Sequence, residues 1–278
     1  MTGSELSTQH PTSGLAEIKE RQRRAWASGD YAVFGAALLI MGEHLCEAVD
    51  LRPGQRVLDV ATGSGNAALA AARRFCDVTG IDYAPALLKW GRERASAERL
   101  QAKFREGDAE NIPFQDASFD VVLSTLGVMF APDQEKAAGE LLRVCRPGGK
   151  IGLANWTPDS FAGEMGSLFG RYMPPSPGLE SPVLWGTEQR LRELLGGGAR
   201  DLRIARRSFV FRYRSVRHYL DVLQTYLGPT RETFLVLDPV RRENLIGELV
   251  DLIGRFNRSD DETMVVPSDY LEVVATRR

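Results

Sequence analysis

Three acids and two glycines in this chain have the types and spacing to do chemistry. Asp59 lies inside VLDVATGSGN, Gly63 and Gly65 follow it, Asp82 ends VTGID, and Asp108 ends FREGD. Glycines after a short apolar run permit positive φ and let a ligand lie against bare backbone. A helix beginning at Asn66 would aim the positive end of its dipole at the same place. A carboxylate at Asp82 can accept two hydrogen bonds from ribose hydroxyls, and it excludes a 2′-phosphate. A carboxylate at Asp108 can accept from an adenine amino group while the Ala109 N–H donates to a ring nitrogen. The same acid can instead cap a short helix over Ala109, Glu110 and Asn111. Gly63, Gly65 and Ala68 also satisfy the spacing of a dinucleotide turn, so an NAD-dependent oxidoreductase is one reading of these residues. Asp59 could equally be a buried carboxylate bonded to turn amides, at a cost if it lacks a partner.

These residues need elements that bring them to one edge, and the sequence alternates accordingly. RVLDVA reads as a strand, followed by the glycine turn and the helix NAALAAARRF. DVTGID, AKFREGD and FDVVLSTL read as further strands, the last apolar on both faces as a central parallel strand should be. APALLKWGRERASAERL and DQEKAAGELLRVC read as helices, and KIGLANW as a fifth strand after the turn RPGG. That order predicts a doubly wound, Rossmann-like α/β sheet with ligands at the carboxyl ends of its strands. Ala61 and Tyr83 follow the first two strands and join the cofactor candidates. Ser124 closes the fourth strand, where a second reactant should meet the first.

Around this core the divisions are less regular. Residues 1–14 are polar and read as a disordered tail without the apolar stretch of a signal peptide. Residues 15–50 read as a helical cover, with one helix from Leu15 to Arg24 and a second from Tyr31 to Val49. Residues 51–156 form the cofactor-binding core, and 157–278 the substrate-side elaboration and closing strands, all within a single domain. The Pro- and Gly-rich run 157–187 reads mostly as loop or short helix. EQRLRELL is a helix, DLRIARRSFVFRYR a strand, Ser215–Leu227 and Pro239–Arg258 helices, and DYLEVVATRR the last strand. The arginines of the strand at 201–214 read as solvated and its aromatics as core.

Composition narrows the partners. A net charge of −2 gives no global field toward nucleic acid or an anionic surface. The most apolar window, YAVFGAALLIMG, is too short to span a bilayer. Three widely spaced cysteines form no C-x-x-C pair and fit a reducing cytoplasm. No His or acid cluster has metal spacing. Of the three histidines, His10 lies in the tail and His44 suits a structural role. His218 alone is a candidate base. Met129 and Phe130 either wall a pocket or pack the core, and Tyr219, Leu223 and Tyr226 share a helix face open to the same two readings.

Taken together, VLDVATGSGN, VTGIDYAPALL, FREGDAENIPFQDASFDVVLS and ELLRVCRPGGKI resemble the class I S-adenosylmethionine-dependent methyltransferases. The closest likeness is to the small-molecule branch with the ubiquinone and menaquinone biosynthesis C-methyltransferases. The resemblance covers about residues 50–156 and implies a seven-stranded, mostly parallel sheet whose last strand is antiparallel. It implies S-adenosylmethionine as cofactor, S-adenosylhomocysteine as product and a small-molecule acceptor it does not name. Asp59 would face the cationic end, Gly63 and Gly65 the amino-acid end, Asp82 the ribose and Asp108 the adenine. Amino-terminal segments of the family often cover the cofactor, which makes Tyr31 a candidate to cover it or a core residue, while Trp26 is read as core. A non-catalytic binding protein on the same fold is the remaining alternative.

Overall fold

The computed structural model describes residues 11–278, with side chains from Gly14 onward. Two helices and a third form the amino-terminal cover: α1 (Pro11–Ala27), α2 (Tyr31–Ala36) and α3 (Leu39–Ala48). The core alternates β1 (Arg56–Val60), α4 (Asn66–Arg73), β2 (Asp77–Asp82), α5 (Pro85–Ala97), β3 (Ala102–Glu106), β4 (Phe119–Thr125), α6 (Gln134–Val144) and β5 (Cys145–Trp156). The carboxyl half adds α7 (Phe161–Tyr172), α8 (Glu188–Leu195), β6 (Ala199–Tyr213), α9 (Val216–Tyr226), α10 (Gly228–Val236), α11 (Pro239–Phe256) and β7 (Met264–Arg277).

The seven strands lie in one sheet in the order β3-β2-β1-β4-β5-β7-β6. β1 to β5 pair in parallel, and β7 runs antiparallel between β5 and β6. The seven-stranded sheet with an antiparallel last strand is thus as the resemblance implied. Both faces are covered. Along β1, Val57 packs with α3 and α4, while Leu58 and Val60 belong to the larger core under the carboxyl-terminal helices. The period-two alternation of a strand assigns them to opposite sides.

Several boundaries differ from the sequence reading. α1 already runs from Pro11, so Pro11–Gly14 are helix and not tail; residues 1–10, with His10, lie outside the described residues. The helix expected over Tyr31–Val49 is broken after Ala36, where the bonds tighten to a turn: Leu38 N donates to the Gly35 carbonyl at 2.9 Å, and Asn66 Nδ2 donates to the same oxygen at 2.8 Å. The Pro/Gly-rich run holds the full helix α7, capped by Ser160 Oγ accepting from Gly163 N at 3.1 Å. Its prolines fall outside that helix. α10 starts on Gly228-Pro229, a pair that reads as a turn but suits a first helical turn.

Candidate functional site

Parallel winding puts the ends of β1, β2, β3 and β4 on one edge of the sheet, and a cavity opens there. Asp59, Ala61 and Gly63 line it from the β1 end, Asp82 and Tyr83 from β2, and Asp108 and Ala109 from β3. Tyr31 closes it from α2. Eight of the residues singled out in the sequence are therefore brought together. Gly65 is not among them. It stands at φ +89°, starts α4, and a Cβ there would come 3.0 Å from the Phe104 ring, so packing requires this glycine. Ser124 is also elsewhere: buried, it donates from Oγ to the Val60 carbonyl at 2.7 Å and accepts from Val128 N at 2.9 Å. It staples β4 to β1, and its neighbour Thr125 lines the cavity instead.

His218 is likewise away from the cavity. It packs edge-on against Tyr213 and its Nδ1 accepts from Arg214 N at 3.4 Å. Tyr219 and Leu223 are fully buried, and the Tyr219 hydroxyl donates to Met165 Sδ, so the face open to two readings is core. Met129 is core as well, whereas Phe130 walls the cavity.

The acids are held with little neutralisation. Asp59 is 2% exposed and accepts on Oδ2 from the Thr62 hydroxyl at 2.6 Å and from Ala68 N at 2.9 Å. Burial pushes its carboxyl up to about 7 against the pull of those two bonds, and the charge of Asp82 adds to the rise. Asp82 accepts from Gly63 N on Oδ2 and from Ala84 N on Oδ1, both at 2.9 Å, and burial raises it to about 6. Asp82 thus closes the glycine turn of β1 from β2. Burial also raises the Tyr31 hydroxyl to about 12 and lifts that of Tyr83.

At the β3 end, Asp108 Oδ1 accepts from Glu110 N at 2.9 Å, capping a turn bridged to Asn111 rather than a helix. Lys19 of α1 reaches over from the cover and lies 2.6 Å from both Asp108 Oδ2 and Glu110 Oε2. Lys19, Gln22 and Trp26, at i, i+3 and i+7, present one face of α1 to the cavity. Trp26, expected in the core, meets Tyr31 edge-on at 5.7 Å and Phe130 at 5.2 Å. The sequence reading missed Lys19 and Gln22, although their helical spacing to Trp26 was there to be seen.

Two non-glycine residues on the cavity wall, Ala61 and Leu126, have φ of 53° and 57°. Such conformations persist where surrounding structure enforces them, often at functional sites.

Residues 58–153 match the methyltransferase domain family. An uncharacterized protein of Mycobacterium tuberculosis is 39% identical over 261 residues, covering 92% of this chain and 94% of that protein. The demethylmenaquinone methyltransferase of Thermus thermophilus is 41% identical over 116 residues, 40% of this chain and 53% of its own. The chain belongs to the class I methyltransferases. Its fold is shared with the YcgJ protein of Bacillus subtilis, with a TM-score of 0.58 at 19% identity over 86% of this chain and 98% of the other. It is also shared with a Haemonchus contortus N-methyltransferase in complex with phosphomonomethylethanolamine and S-adenosylhomocysteine, with a TM-score of 0.55 at 17% identity over 85% and 52%. The likeness of this methyltransferase to the demethylmenaquinone enzyme spans less than half of the chain. Among the described residues no helix is long and apolar enough to cross a membrane, and no cluster of His, Cys, Asp or Glu has the arrangement of a metal site.

Proposed function

We propose that this methyltransferase transfers a methyl group from S-adenosylmethionine to a small-molecule acceptor in a reducing cytoplasm. The observation that carries the reading is the pair Asp59 and Asp82. Both are buried on the cavity wall, both carboxyls are pushed upward, and neither has a cationic side chain hydrogen-bonded to it. Buried carboxylates without a counter-charge favour a cationic ligand. A dinucleotide would bring a pyrophosphate to the same turn and set anion against anion.

S-adenosylmethionine supplies an electrophilic methyl on a sulfonium and a neutral thioether as leaving group. The residues present fit it. Gly63, at φ +55°, offers bare backbone. Asp59 gives the negative charge, and Asp82 and Asp108 offer acceptor oxygens for ribose and adenine. Trp26 and Tyr31 bring aromatic surface to the same cavity, where a cation–π contact contributes about 0.5–2 kcal/mol. No proton transfer is assigned to His218. Positioning of the acceptor at roughly 3–3.5 Å from the methyl is then the main source of rate.

Calorimetry with S-adenosylmethionine, S-adenosylhomocysteine and NAD tests the reading. The two sulfur ligands are expected to bind and NAD to bind far more weakly; tighter NAD binding would restore the oxidoreductase. Incorporation of labelled methyl into a metabolite library then separates an enzyme from a binding protein on the same fold.

A further inference from the structure

Two oxygens among the residues that wall the cavity have no partner. Gln22 and Thr125 both line it, and Gln22 Oε1 and Thr125 Oγ1 are buried with no hydrogen bond. Ser124, one residue earlier, has both its bonds made. Gln22 Nε2 donates to the Phe130 carbonyl at 3.3 Å. Turning that amide over would set oxygen against oxygen, so the unpartnered atom of Gln22 is the acceptor. A polar atom closed off from water and left unpaired opposes folding, and native structures keep few of them. Here two sit on residues of one cavity.

We propose that Gln22 and Thr125 form the acceptor subsite and select an uncharged molecule with an apolar, ring-sized body. Its hydroxyl or N–H donates to Gln22 Oε1, and a second polar atom pairs with Thr125 Oγ1. This rests on the methyl-transfer reading, in which Asp59, Asp82 and Asp108 are taken by the cofactor. The surface around the two orphans is apolar: Trp26, Leu126, Val128, Phe130 and Pro132. A planar body suits the edge of Trp26 against Phe130. Charge argues against an anionic acceptor. Among the described residues Lys19 is the one cationic side chain lining the cavity, and Asp108 and Glu110 already hold it at 2.6 Å each. A carboxylate or phosphate on the acceptor would enter an acidic cavity with no cation to meet it.

The test uses the full chain saturated with S-adenosylhomocysteine and two variants, Thr125→Val and Gln22→Met, which keep size and remove the orphan oxygen. Phenol, catechol and indole serve as neutral probes, and benzoate and phenyl phosphate as anionic ones, titrated by saturation-transfer NMR. The neutral probes should bind wild type saturably and lose about tenfold in each variant, as expected for one lost hydrogen bond. S-adenosylhomocysteine affinity should not change. Thr125→Val without ligand should melt at or above wild type, since an unpaired oxygen has gone. Anionic probes binding as tightly as neutral ones, no saturable neutral binding, or variants that bind as wild type does would each overturn the proposal. So would a Thr125→Val melting point several degrees lower, which marks a structural hydroxyl. Wild type that fails to bind S-adenosylhomocysteine overturns the methyl-transfer reading itself, and the subsite with it.

Discussion

Lys19 Nζ lies 2.6 Å from Asp108 Oδ2, across 89 positions of sequence, and fastens the amino-terminal helix to the end of β3. It also lies 2.6 Å from Glu110, whose side chain is 3% exposed. Lys19→Met would leave that acid buried without a counter-charge, held only by the Asp133 N–H at 2.9 Å. The expected loss of stability at pH 7 is about 1–3 kcal/mol, below the value for a fully buried pair because Lys19 is partly exposed. Burial pulls the Lys19 ammonium down, but its bonds to Asp108 and Glu110 outweigh that and raise it above its ordinary 10.5. Its contribution is therefore full below 10.5 and fades as pH rises through the higher folded value. Urea titrations should show the gap between variant and wild type at pH 7 and its closure only in strong alkali; equal stability at pH 7 would contradict the bridge.

Asp82→Ala should weaken cofactor binding by roughly 10- to 150-fold, the range for hydrogen bonds to a charged group. Part of the loss comes from the turn, since Gly63 N and Ala84 N lose their acceptor. Calorimetry with S-adenosylhomocysteine on a folded variant measures it, and unchanged affinity would remove Asp82 from the site.

Asp59 and Asp82 should shape the pH dependence of the ligand-free protein. Their folded carboxyls sit at about 7 and about 6 against an ordinary 3.8, so the folded state keeps protons that the unfolded chain has released. With folded values raised, these two groups favour folding at low pH and progressively less as pH climbs from about 4 to about 7. Asp59→Asn removes that slope for one group. It should gain on wild type between pH 5 and pH 8 by something on the order of a few kcal/mol. Parallel denaturant curves at the two pH values, with no such gain, would show that Asp59 does not titrate as described.

Gly127→Ala should damage the site through backbone. A Cβ at Gly127 would stand 2.5 Å from the Ala61 carbonyl oxygen and 2.7 Å from Ala61 Cβ, where β1 and β4 end side by side. Overpacking of this kind costs about 1–3 kcal/mol. Thermal melting and cofactor titration should both fall, and a variant with neither effect would mean the corner relaxes freely.

His218→Ala should leave methyl transfer within about twofold, because surface changes away from such features usually shift free energies by under about 0.5 kcal/mol. A loss of a hundredfold in kcat with cofactor affinity intact would reinstate it as a base.

How legible the site was follows from where each residue draws its role. Asp59, Asp82 and Asp108 announce themselves because each stands at a strand end beside turn residues, a signal contained in a few neighbours. Ser124 and Thr125 illustrate the opposite. Both stand at the end of the same strand, and alternation turns a shift of one residue into the difference between a staple and a cavity wall. Lys19 and Gln22 lie on a helix that the sequence marks only as charged, and contact with Asp108 and with the Phe130 carbonyl gives them their place in the site. The helix α7 was hidden by its three glycines, of which packing requires Gly163: a Cβ there would meet the Thr157 carbonyl oxygen at 2.1 Å, whereas Gly166 and Gly170 face open space.

The ring of Tyr31 occupies a slot between two positions that lack side chains. A Cβ at Gly35 would come within 2.8 Å of Tyr31 Cε1, and a Cβ at Gly63 within 3.2 Å of the same atom. Positions 31, 35 and 63 are therefore sterically coupled. A larger residue at 35 is admissible only after position 31 has shrunk, and at 63 only if the left-handed turn is rebuilt as well. The order of substitution then matters: Tyr31→Ala first opens the space for a side chain at position 35, and the reverse order meets the ring.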